Sequence, residues 1–179
     1  MPKFHEIQSR FEWLNAFFRS YHSFLIIEGK CTELDNSYKD LSPFTHLNNV
    51  LLYDTVINWC KIFGSDREEC HWKKVVEDPD DFRNYLFKSI GKTQQEFTAY
   101  QKKIVEFRNK WVVHFDPNYK HPAVPFFEIA HESAVALHSY LKEKSNEKYP
   151  YGGPENIEKF GEDVASALFS KLLTGENKT

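Results

Sequence analysis

The chain lacks several things that would assign it a class at once. No stretch approaches about 20 consecutive apolar residues, so no transmembrane helix is expected. Cysteine is scarce: Cys31, Cys60 and Cys70 are widely spaced, and none forms a CxxC pair. An odd, scattered set argues against a disulfide framework and for a reducing compartment. Excess positive charge is also missing. The 23 Lys and Arg stand against 26 Asp and Glu, for a formal charge of −3. Any contact with nucleic acid must therefore come from a local site, because the whole molecule supplies no basic field. The opening MPKFHEIQSRFEW has no apolar run of the kind a secretory leader needs. The resulting expectation is a cytoplasmic protein with no membrane partner.

Familiar catalytic and metal motifs are absent too. Gly91-Lys92-Thr93 invites a phosphate-loop reading, but Leu86 stands where that motif places its first glycine. No Gly-x-Ser-x-Gly elbow supports a serine hydrolase. Cys70-His71 with Cys60 or His46 has no zinc-ligand spacing. His5, His22, His121, His131 and His138 fit no ligand pattern either. No metal or cofactor is expected.

What is present is bulk and helical rhythm. Hydrophobic residues make up 41% of the 179, including 16 Phe, 9 Tyr and 4 Trp, enough for a single domain with a sizeable core. Phe4, Ile7, Phe11, Leu14, Phe18, Tyr21 and Leu25 step by three and four, predicting a long amphipathic helix that Gly29 stops. Ser42-Pro43 opens a second helix over 44–63, apolar on more than one side and therefore central. Residues 66–90 are more broken. There Asp78-Pro79 starts a short helix carrying Phe82, Tyr85, Leu86 and Ile90, and Gly91 closes it. Thr93-Gln-Gln-Glu96 is a capping box for the next helix. Phe97, Tyr100, Ile104, Phe107 and Trp111 mark that helix's stripe, and Pro117 ends it near Phe115. Pro125 opens another, with Phe127, Ala130, Ala134, Leu137 and Leu141. After a linker through YPYGGP, a last helix spans Pro154 to Leu173, ahead of a frayed TGENKT tail. No strand alternation or hairpin signal appears. The expected architecture is an all-α antiparallel up-and-down bundle: four core helices within about 4–145, extra short helices, and a C-terminal helix over 154–173.

One stretch, FRNKWVVHFDP at 107–117, stands out. Phe107, Trp111, Val112, Val113 and Phe115 call for burial, yet Arg108 and His114 sit among them, and buried charge is unfavourable unless paired or used. With Ile104 at zero and about 100° per residue, Trp111 falls near −20°, Phe107 near −60°, Arg108 near +40° and His114 near −80°. Both polar residues thus share the apolar face, and Asn109 turns away. A structural role would explain them: Arg108 reaching to water along its stem, His114 closing the helix end where positive charge is favoured.

Arg108-Asn109, then four residues, then His114 resembles the R-x4-6-H motif of the HEPN superfamily. With VINWCKIFGSDREECHWKK upstream, the chain is most similar to HEPN proteins related to abortive-infection systems, over roughly residues 40–140. The resemblance implies a metal-independent endoribonuclease of a defence or toxin–antitoxin setting. It implies a homodimer in which two motifs face each other and build one cleft, and an antitoxin or nucleotidyltransferase-type partner. His114 would act in acid–base catalysis on RNA, Arg108 would stabilise charge on the phosphorane-like transition state, and Asn109 would orient a partner or the phosphate. Lys102, Lys103 and Lys110 lie close in sequence and would guide the RNA backbone. Because the chain carries one such motif, catalysis would require the homodimer. The alternative is a non-catalytic helical interaction module of the same fold.

Overall fold

The computed structural model describes residues 4–34, 42–114, 116, 118, 124–145 and 151–173, and side chains within 12–31 and 44–170 of these. Six α-helices are found among them: α1 (Phe4–Leu34), α2 (Ser42–Phe63), α3 (Pro79–Ile90), α4 (Gln94–Phe107), α5 (Glu128–Glu143) and α6 (Ile157–Leu173). A 3₁₀ turn covers Trp72–Lys74, and a π-helical turn, Arg108–Val113, continues α4. There is no strand among the described residues, and the molecule is an all-α bundle.

Side-chain pairs give the helix directions. The Ser20 hydroxyl donates to Asp54, and the Lys61 ammonium stands 3.3 Å over the Trp13 ring, so α1 and α2 run antiparallel. Gln101 Nε2 donates to the carbonyls of Phe63 and of Gly64 (2.8 Å) at one end of α2, while Trp111 Nε1 donates to the Tyr53 hydroxyl (3.1 Å) nearer the other. That register makes α2 and α4 antiparallel and satisfies carbonyls at the α2 C-terminus. Tyr21 meets Phe127 and Phe18 meets His131, setting α5 antiparallel to α1. The four core helices are thus α1, α2, α4 and α5. The shorter α3 packs on α5, and α6 packs on α1.

The core sits where α2 crosses the others. Trp59 is fully buried, stacks on Phe63 at 5.3 Å between ring centres, and donates its indole N–H to Ser133 Oγ (3.0 Å). Ser133 in turn donates to the Ala130 carbonyl (2.9 Å), so the buried polar pair is satisfied. Apolar residues on several sides of α2, among them Leu52, Val56, Ile62 and Phe63, are buried, as a central helix requires.

Several local expectations hold. Asp78 caps α3 by accepting from the Asp80 and Asp81 N–H groups, and Gly91 ends it with φ 59°, a conformation open to glycine at little cost. In the capping box, Thr93 N–H donates to Glu96 Oε2 (2.7 Å) and Glu96 N–H to Thr93 Oγ1 (3.2 Å).

Others are corrected. Gly29 does not stop α1, which continues to Leu34; a mid-helix glycine weakens a helix by about 1 kcal/mol, too little to break one packed along α2 and α6. Leu25 is exposed while Phe24 and Ile27 are buried. Pro125 does not open α5, which begins at Glu128 without a side-chain cap. The last helix begins at Ile157, where Asn156 Oδ1 accepts the Lys159 N–H (2.9 Å) as its cap. Phe115, Pro117, the TGENKT tail and the side chains of Phe4, Ile7 and Phe11 lie outside the described residues.

Candidate functional site

The α4 helix delivers the motif through a change of helical type. From Arg108 the hydrogen bonding becomes i→i+5, and the His114 N–H reaches back to the Asn109 carbonyl (3.2 Å). A wider turn slows the rotation of side chains about the axis, so the 100° wheel fails beyond Phe107. Trp111, placed on the buried stripe by that wheel, is 36% exposed, and Val113 is 54% exposed. No residue of Arg108–Val113 is buried. His114 is not on a buried face either; it is exposed in extended backbone at φ −123°, ψ 134°. Local π geometry inside an α-helix recurs at functional sites.

Arg108 is half-buried, its side chain 19% exposed, whereas Asn109 and His114 are exposed. Its Nε donates to Asn109 Oδ1 (3.0 Å), and its Nη1 stands 3.8 Å from Glu68 Oε1. Asn109 therefore touches both ends of the motif, by its side chain to Arg108 and by its carbonyl to the His114 backbone. Cys60, wholly buried, lies within electrostatic reach of Arg108 and Glu68. Burial pushes its thiol up to about 12, with Arg108 opposing the rise and Glu68 adding to it. A thiol held that far up is no nucleophile near neutral pH.

Glu68 was not singled out by the sequence. It lies in the loop after α2, far from the motif in the chain, and no spacing rule links the two. The loop is fastened: Glu68 N–H donates to the Ser65 carbonyl (3.0 Å), and His71 N–H to the Glu68 carbonyl (3.2 Å). His71 is buried and accepts the Lys73 N–H on Nδ1 (3.3 Å).

Of the three lysines, Lys110 lies within the motif turn and Lys102 and Lys103 lie before it on α4. Lys110 pairs with Glu106 at 2.8 Å. Lys102 and Lys103 are exposed on α4 and lie about 120° and 140° around its axis from Arg108. Lys103 lines a groove with Tyr100, Val124, Pro125, Phe126 and Ile129. Apolar surface does flank the motif: Trp111 and Val113, and on α2 Val50, which is 46% exposed one turn before Tyr53. No cluster of metal-ligating side chains occurs among the described residues, and no helix among them is long and apolar enough to cross a membrane.

No family model, curated protein or solved structure matches the chain.

Proposed function

We propose that the chain is a HEPN-type, metal-independent endoribonuclease that works as a homodimer. The observation that carries the reading is the arrangement of the motif: a half-buried Arg108 oriented by Asn109, and an exposed His114 closing the same π-helical turn. A guanidinium suits phosphate because it is permanently charged and planar. An imidazole gives or takes a proton near neutral pH. The exposed Val50, Trp111 and Val113 supply apolar surface for a second copy beside the motif. Two facing motifs then provide two histidines. One takes the proton of the RNA 2′-hydroxyl as its oxygen attacks the adjacent phosphorus. The other, as imidazolium, protonates the departing 5′-oxygen. The products are a 2′,3′-cyclic phosphate and a 5′-hydroxyl, and Arg108 offsets charge on the pentavalent transition state.

A second reading, the non-catalytic interaction module, is favoured by one contact: Arg108 faces Glu68 of its own chain. Incubating the purified protein with cellular RNA in EDTA, beside His114→Ala, decides between them. Cleavage by wild type with cyclic-phosphate and 5′-hydroxyl ends, lost by at least a hundredfold in His114→Ala, is the expected result. Equal cleavage by both removes His114 from the chemistry; no cleavage by either favours the module.

A further inference from the structure

The contact between Arg108 and Glu68 has a meaning within the nuclease reading, on which this inference rests. A guanidinium offers its donors as two forks that share Nη2: Nε with Nη2, and Nη1 with Nη2. Here Nε donates to Asn109 Oδ1 at 3.0 Å, and Nη1 faces Glu68 Oε1 at 3.8 Å. One prong of the first fork is therefore bonded to the protein's own oxygen, and the second fork has a carboxylate beside it. A phosphate that takes Arg108 through Nε and Nη2 must displace Asn109, and one that takes Nη1 and Nη2 arrives beside the Glu68 carboxylate.

The two are not equally held. Asn109 is the next residue in the chain, and its contact is a hydrogen bond of ordinary length. Glu68 stands beyond hydrogen-bond length, and its side chain is 41% exposed, so its carboxylate can turn outward into water. It is also an anion where the substrate's anion must arrive, and two negative charges on one side of a guanidinium repel. The backbone carrying Glu68 stays put, fastened by its bonds to Ser65 and His71, by the Lys73–Asp66 pair (3.4 Å) and by Lys74 on the Arg67 carbonyl (3.2 Å). The carboxylate is thus kept within reach of Arg108 without being locked onto it.

We propose that Glu68 is a stand-in anion: it occupies Arg108 in the empty site, and the RNA phosphate binds by displacing it. Glu68 thereby sets the affinity of the site for a phosphodiester. It lowers occupancy by weak anions and leaves Arg108 to ligands that present enough contacts to win the exchange. It does not orient Arg108 for catalysis; Asn109 does that.

The test uses the full chain with Glu68→Gln and, as a second variant without a hydrogen-bonding head, Glu68→Ala. Both change a partly exposed side chain, and circular dichroism checks that they fold. The first arm follows the Arg108 Nε–H signal by NMR while inorganic pyrophosphate is added. Both variants should bind pyrophosphate two- to fivefold more tightly than wild type, roughly what a solvent-exposed ion pair contributes. The second arm measures cleavage of a random-sequence oligoribonucleotide pool in EDTA. KM should fall by a similar factor with no fall in kcat. A fall in kcat at unchanged KM would make Glu68 an orienting residue and overturn the proposal while leaving the nuclease reading intact. Tighter pyrophosphate binding with no cleavage by any form would sink the nuclease reading and keep the exchange at Arg108. Unchanged pyrophosphate binding overturns the proposal whatever the cleavage arm shows.

Discussion

His71 and His114 are the same side chain in opposite surroundings. His71 is buried beside Lys73 and Lys74, and burial first, then those charges, hold its pKa down at about 4. His22 and His138 are lowered in the same direction, also chiefly by burial. Each stays neutral in the fold at a pH where the unfolded chain takes up a proton. For His71, between about 4 and 6.5 the unfolded state binds more protons, so stability is full above that window and is lost as pH falls through it. The urea midpoint should therefore drop between pH 7.5 and pH 5. His71→Gln should flatten that drop by roughly 1–2 kcal/mol, and an identical drop in the variant would remove His71 from the account. His114, by contrast, is exposed at the motif. Its spacing from Arg108 was legible in the sequence. The Glu68 partner of Arg108 was not, because a contact between two distant loops and turns leaves no trace in local pattern.

At the scale of elements, start and stop signals were read well where a side chain bonds its own backbone. The capping box at Thr93 and Glu96, the Asp78 cap and the left-handed Gly91 depend on neighbours within a few residues. Replacing Thr93 with Ala should lower stability by about 1 kcal/mol, measured by chemical denaturation, since two N–H groups at the α4 start lose partners or the geometry that holds them. A variant as stable as wild type would mean that water replaces the cap at no cost. Proline proved a poorer guide: Pro125 and Pro154 each lie three residues ahead of the helix they were expected to open. The motif turn was misjudged for a different reason. A wheel assumes constant rotation per residue, and the switch to i→i+5 bonding at Arg108 breaks that assumption. The change brings Trp111 to the edge of α2, where its N–H bonds Tyr53, and leaves Val113 and His114 outside.

For the whole molecule, Val50, Trp111 and Val113 are exposed apolar side chains. The proposed dimer gives a direct expectation. Val113→Asp, on an exposed side chain, should leave the monomer folded, weaken self-association at least tenfold in sedimentation experiments, and reduce RNA cleavage in parallel. Self-association unchanged in that variant would place the interface elsewhere. Close approach within the chain is also a whole-molecule matter. Gly161 on α6 lies so near α1 that a Cβ there would stand 2.9 Å from the Phe18 carbonyl oxygen, so only the bare backbone permits that packing.

The sequence by itself determined the all-helical class, the central place of α2, the capped limits of α3 and the start of α4, and the Arg108–Asn109–His114 spacing. These follow from apolar periodicity and local backbone bonding, which act over a few residues. Tertiary structure decided the rest: the register of α2 on α4, the closeness of α6 to α1, the burial of His71, and the pairing of Arg108 with Glu68. Each depends on which surfaces meet after the chain has folded back on itself, and packing chooses among many contacts that are equally allowed by local pattern.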